Sequence, residues 1–124
     1  MIKVSRVDFS KLNVWNEAKA LAVDIYKSTN KEPVLRDFSF RDQVRRAAVS
    51  VASNIAEGND RETTREFIRF LYIAKGSLAE LMTQIEIGKE IGYFNDDYEA
   101  LKSSCIKIGN MLGAFIKTLK AQEK

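Results

Sequence analysis

The stretch Gln43-Val44-Arg45-Arg46-Ala47-Ala48-Val49-Ser50-Val51-Ala52-Ser53-Asn54-Ile55-Ala56-Glu57-Gly58 decides the fold. It holds no proline, and its only glycine comes last. Val44, Ala48, Val51 and Ile55 recur at steps of four and three, so they share one face of a helix. Gln43, Arg46, Ser50, Asn54 and Glu57 recur in the same way and form a polar stripe beside the apolar one. An ordinary surface helix keeps its polar residues opposite the core. Here they flank it, among alanines small enough to admit a second helix. The stretch predicts a helix with a specified packing partner or a buried polar network.

Three further helices follow from the same reading. Upstream, Val14, Trp15, Ala18, Leu21, Ala22, Ile25 and Tyr26 form a broad apolar face on a helix over about 12–29, closed by Ser28-Thr29-Asn30 and Pro33. The central helix is expected over 40–57, with Ser39 as N-cap and Gly58 in the left-handed position after it. Downstream, Thr63 with Glu66 three residues later is a capping-box signature for a helix over 64–91. Phe67, Leu71, Ala74, Leu78, Leu81 and Ile85 line it, and Gly92 ends it. Asn95 is the expected cap of a last helix over 96–121. There Tyr98, Leu101, Cys105, Ile108, Leu112, Phe115 and Leu119 step three-four throughout, the seam of helices crossing at a shallow angle. Four long helices with mostly short loops predict an all-α, up-down-up-down antiparallel bundle, one domain over 1–124.

Composition narrows the chemistry. A single proline and six glycines leave few helix breakers, and 45% hydrophobic with 30% charged residues suits a globular protein. Histidine is absent, which removes the commonest general base and zinc ligand. Glu57, Glu66, Glu80 and Glu86 have no metal-ligand spacing. Cys105, the only cysteine, falls on the apolar seam with no base to activate it. No phosphate-cradling glycine loop occurs. The expectation is a non-enzymatic protein with no catalytic residue, cofactor or metal. One cysteine, no apolar leader in residues 1–8 and no run of 18 apolar residues predict a cytoplasmic protein.

The net charge of +3 permits an anionic partner without demanding one. Arg41 and Arg45 lie one turn apart near the start of the second helix. Arg61, Arg65 and Arg69 form a row entering the third. Helix four adds Lys102, Lys107, Lys117, Lys120 and Lys124. Arg41, Arg45, Arg65 and Arg69, with Lys117 and Lys120 as a second patch, are the candidate contacts for RNA, DNA or a nucleoprotein. The competing reading is a solvated face paired with Asp42, Glu62 and Glu66, on a structural oligomer whose partner is another protein. The polar stripe supplies a candidate network in which Gln43, Arg46 or Asn54 pairs with Glu80 and Gln84 of the third helix; Glu57 closes that stripe. Gly76, Gly88, Gly109 and Gly113 lie inside helices at about 1 kcal/mol each against alanine. Close packing inside the bundle, or between subunits at Gly109 and Gly113, would offset this cost.

Phe9-x-x-Leu12-x-Val14-Trp15-x-x-Ala18, the block Gln43 to Gly58, Arg61-x-Thr63-x-x-Glu66-Phe67-x-x-Phe70-Leu71-x-Ile73-Ala74-x-Gly76-Ser77-x-x-Glu80-x-x-Thr83-Gln84 and Gly92-Tyr93 together resemble the 23S rRNA intervening-sequence proteins of bacteria. The resemblance spans about residues 9–93. It implies a small bundle that assembles into a ring-like homopentamer. It also implies similarity to the accessory variability determinant protein of diversity-generating retroelements, a basic pentamer that binds a reverse transcriptase and nucleic acid. No membrane and no small-molecule substrate is expected as a partner.

Overall fold

A computed structural model of the chain describes residues 7–123. Four helices form: α1 (Asn13–Ser28), α2 (Phe38–Asn59), α3 (Thr64–Glu90) and α4 (Tyr98–Gln122). Each packs against its neighbours in chain order, and α1 also meets α4, which closes the bundle. The all-α up-down architecture is the one the apolar periodicities predict. Lys124 and residues 1–6, part of the segment read for a leader, lie outside the described residues.

The predicted stripes meet in one core. Val44, Ala48, Val51 and Ile55 of α2 are buried, as are Phe67, Leu71, Ala74, Leu78, Leu81 and Ile85 of α3. The α4 seam holds at every predicted position, Leu119 included, except Phe115. Ile116 enters the core, while half-buried Phe115 turns edge-on to Phe67 with ring centroids 5.2 Å apart. A helix of 3.6 residues per turn drifts against a strict seven-residue repeat, so at this turn Ile116 faces the core in place of Phe115, and Leu119 one turn on is still buried. Tyr26, expected on the apolar face of α1, is exposed and stacks against Arg45 instead.

The helix ends differ from several expectations. Asp37, not Ser39, caps α2: its carboxylate accepts from the Phe40 N–H at 3.2 Å, so the helix starts two residues earlier. Gly58 does not stop α2 in a left-handed turn but lies inside the helix. A Cβ there would stand 2.7 Å from the Phe70 Cβ and 2.9 Å from the Phe67 ring, so the missing side chain at Gly58 lets α3 pack against α2 at this point. Thr63 caps α3 as predicted, accepting from the Glu66 N–H at 3.2 Å. The Glu66 carboxylate pairs with Arg69 at 3.5 Å, so only half of the capping box forms. Gly92, at φ +86°, ends α3 as predicted: the Tyr93 N–H reaches the Gly88 carbonyl at 2.7 Å and the Gly92 N–H the Lys89 carbonyl at 3.2 Å. Asn95 does not cap α4. Its amide donates back to the Gly92 carbonyl at 3.0 Å, and α4 begins at Tyr98.

Candidate functional site

The antiparallel order gives the bundle two ends. The upper end holds the close of α1, the start of α2 and the Tyr93–Tyr98 connection. The lower end holds the close of α2, the start of α3 and the close of α4. Arg41 and Arg45 fall at the upper end; Arg65, Arg69, Lys117 and Lys120 fall at the lower. At about 1.5 Å per residue, the stretch of α2 from Arg45 down to Asn59 sets Arg45 roughly 20 Å above the turn into α3, while Arg65 lies at that turn and Arg69 about one turn of helix above it.

The upper arginines are held by the bundle itself. Arg45 Nε donates to Thr29 Oγ1 at 2.9 Å, and its guanidinium lies 4.6 Å from the Tyr26 ring centroid. Thr29 is fully buried and itself donates to the Ile25 carbonyl at 2.6 Å. Arg41 donates to Asp42 at 3.0 Å and to the Leu35 carbonyl at 3.2 Å, and it covers the Phe38 ring. The same end carries a side-chain clasp between distant segments: Tyr93 Oη donates to Asp37 at 2.6 Å. That hydrogen bond, with the one from the Phe40 N–H, holds the Asp37 carboxyl below the ordinary carboxylate range. It pushes the Tyr93 hydroxyl up. Tyr98 Oη donates to Glu86 at 2.6 Å, and its hydroxyl is raised for the same reason.

The lower end is different. Arg65, Arg69, Tyr72 and Gly76 recur at steps of four, three and four, so they form one outward stripe of α3. Arg65 is exposed, with no hydrogen bond or ion pair among the described residues. Arg69 pairs with Glu66 and, with Arg61, flanks the Phe70 ring. Across the α3–α4 seam, Lys120 donates to Tyr72 Oη at 2.6 Å. Tyr72, Lys75, Gly113, Ile116, Lys117 and Lys120 line a groove of about 280 Å³, with three ammonium groups and no carboxylate on its walls. Tyr72 and Lys75 were not among the predicted contacts. Tyr72 was within reach of periodicity, three residues beyond Arg69 on the same stripe. Lys75 becomes relevant only when α4 packs beside it.

The polar stripe of α2 is realised at its centre only. Ser50 and Ser77 share a hydrogen bond at 2.8 Å across α2 and α3, and the Asn54 amide donates to the Ser50 carbonyl at 2.8 Å and hydroxyl at 3.0 Å. The expected pairs with Glu80 and Gln84 do not form. Gln43, Arg46, Glu57 and Glu80 are exposed. Gln84 is only 9% exposed, yet its Oε1 has no hydrogen-bond partner among the described residues. The stripe borders the α2–α3 contact rather than entering it. Short hydroxyls reach across, while the long side chains of Gln43 and Arg46 carry their polar ends into water.

Cys105 lies in the core, where burial pushes its thiol up to about 11. Among the described residues no cluster of carboxylates and thiols is placed to hold a metal ion, and no helix is long and apolar enough to cross a membrane.

An antiparallel four-helix bundle defines the class. The chain belongs to the 23S rRNA-intervening sequence protein family, whose pattern matches residues 10–114. It is similar in structure to a protein of unknown function from the S23 ribosomal protein family of Bacteroides thetaiotaomicron. The two share 26% identity with a TM-score of 0.76, over 84% of this chain and 98% of that one. Among curated proteins no significant relative is found.

Proposed function

We propose that the protein is a non-enzymatic, homo-oligomeric bundle that holds RNA, DNA or a nucleoprotein partner through the basic band at its lower end. The observation that carries this reading is the placement of Arg65, Lys75 and Lys117. All three are exposed and have no ionic partner among the described residues, and they sit beside Arg69 and Lys120 on adjoining faces of α3 and α4. Cations left unpaired by their own fold are the groups available to phosphates. Arg41 and Arg45, bonded within the upper end, serve packing in this reading.

Self-association is supported by a shallow apolar groove of about 530 Å³ between α1 and α2, lined in part by Phe9, Trp15, Val23, Tyr26 and Val49. The homopentamer implied by the family resemblance would repeat the basic band around an axis and strengthen its field. Sedimentation equilibrium is expected to give a multiple of 14.1 kDa at micromolar concentration; a stable monomer overturns the oligomer.

A salt titration tests the binding. Phosphate contacts release counterions, so log K should fall steeply with log salt, and each lost contact should lower the slope by about 1. Binding that ignores salt rules out the nucleic-acid reading and favours a protein partner.

A further inference from the structure

Gly113 stands in the interior of α4, where glycine favours the helix less than alanine does. At Gly58 and Gly88 the same cost is offset by contact: a Cβ at Gly88 would meet the Phe94 ring at 2.6 Å. At Gly113 a Cβ would meet nothing within 4 Å, so nothing inside the bundle requires the side chain to be missing. The space it leaves opens into the groove between α3 and α4, beside Lys117 and below Tyr72. Tyr72 is 46% exposed, a large aromatic surface left at the rim, with Lys120 held against its hydroxyl edge. The groove therefore combines uncompensated positive charge, an exposed ring and, beside the buried Ile116, a stretch of wall at Gly113 that carries no side chain.

We propose that this groove seats the backbone of a single-stranded nucleic acid. Its phosphates meet Lys75, Lys117 and Lys120, its chain passes close over Gly113, and a base stacks on Tyr72. The assignment rests on the nucleic-acid reading above and makes it specific. Helix axes pack 8–10 Å apart, so the trough between α3 and α4 is narrow. A duplex can touch only its rims, where the wall at Gly113 is irrelevant, and its bases are already stacked. A single strand enters, and its bases are free for an aromatic platform in a positive groove.

Fluorescence anisotropy with a labelled 12-nucleotide oligo(dT) or oligo(rU), a 12-base-pair duplex and inorganic phosphate as competitor tests this on the full chain. Gly113→Ala is expected to raise the thermal midpoint, because alanine favours the helix, and still to weaken single-strand binding. Tyr72→Leu should weaken it by about 5- to 150-fold, the range for loss of one base stack, while Tyr72→Phe keeps it near the starting affinity. Lys117→Ala, at an exposed position, should lower the salt slope by about 1 with folding unchanged. Unchanged binding in both Gly113→Ala and Tyr72→Leu overturns the groove. If Arg65→Ala and Arg69→Ala abolish binding in that case, the basic band stands and only the groove falls. Duplex bound as tightly as single strand overturns the single-strand assignment. Displacement of the strand by equimolar inorganic phosphate would reduce the groove to a simple anion site and overturn it too. No binding to any oligonucleotide removes the wider nucleic-acid reading as well.

Discussion

At the upper end of the bundle, Arg41 and Arg45 each find partners within the chain: a buried threonine, a backbone carbonyl, an adjacent aspartate, two aromatic rings. At the lower end, Arg65 and Lys117 find none among the described residues, and Lys75 and Lys120 share a groove free of carboxylates. These cations look alike in the sequence. What separates them is whether the neighbouring helix offers an acceptor. The Arg45 guanidinium is fixed in place by its Nε–H bond to Thr29 and its stacking on Tyr26, so it cannot turn freely toward a phosphate without loosening those contacts. An unpaired one gives up only water.

Exchanging the variants between the ends is the strongest way to break this comparison. Replacing Arg65, Arg69, Lys117 and Lys120 together with alanine should lower the salt slope of nucleic-acid binding by about 4 and leave the thermal midpoint nearly unchanged. Replacing Arg41 and Arg45 should do the reverse. Equal loss of binding from both pairs of ends would show that the intramolecular partners do not matter.

Next in size is Gly58→Ala. The added methyl would lie 2.7 Å from the Phe70 Cβ, an atom close to the backbone that cannot swing aside. Overpacking of this kind costs about 1–3 kcal/mol, more than the gain in helix propensity. Urea denaturation should show destabilisation at Gly58, where Gly113→Ala shows stabilisation. Equal signs at the two positions would undo the distinction between a packed and an open glycine.

Arg45→Ala should cost about 1–2 kcal/mol, combining one hydrogen bond with one cation–π contact. Thr29 keeps its own bond to Ile25, so no buried hydroxyl is stranded. Arg65→Ala should change stability by less than about 0.5 kcal/mol, as expected of an exposed site away from caps and core.

The smallest effect is the pH dependence contributed by the clasp at the upper end. Asp37, lowered by its bond from Tyr93, contributes stability that is complete above the ordinary carboxylate range, about pH 4, and is lost as pH falls through its depressed value. Tyr93, raised by the same bond, contributes below about pH 10 and loses its contribution as pH rises through its raised value. Urea midpoints measured from pH 2 to 5 and from pH 9 to 11 should fall off at both extremes in the native chain. Tyr93→Phe should reduce both limbs without removing them, because Tyr98 keeps its bond to Glu86 and Asp37 its bond from the Phe40 N–H; a profile unchanged by that substitution would mean the clasp does not form.

The sequence by itself determined the four helices and their core faces, because a 3.6-residue period in apolar side chains has one stable solution: burial against other helices. Val44, Ala48, Val51 and Ile55, with Phe67, Leu71, Ala74, Leu78, Leu81 and Ile85, are buried as their spacing requires. It also determined the Thr63 cap and the Gly92 stop, since both depend on hydrogen bonds or dihedral angles within a few residues. Between Asp37 and Ser39 composition does not choose, since either side chain can cap a helix, and only the start of the α2 backbone selects Asp37. Tertiary structure alone decided the rest. The role of Gly58 depends on Phe70, twelve residues away, and that of Arg45 on Thr29, sixteen residues away. The groove exists because Tyr72 and Lys75 meet Gly113, Lys117 and Lys120 across a helix–helix seam. Local spacing fixes which face of a helix is wet or dry, but what a charged side chain on the wet face can bind is set by its neighbours in space, and these come from other parts of the chain.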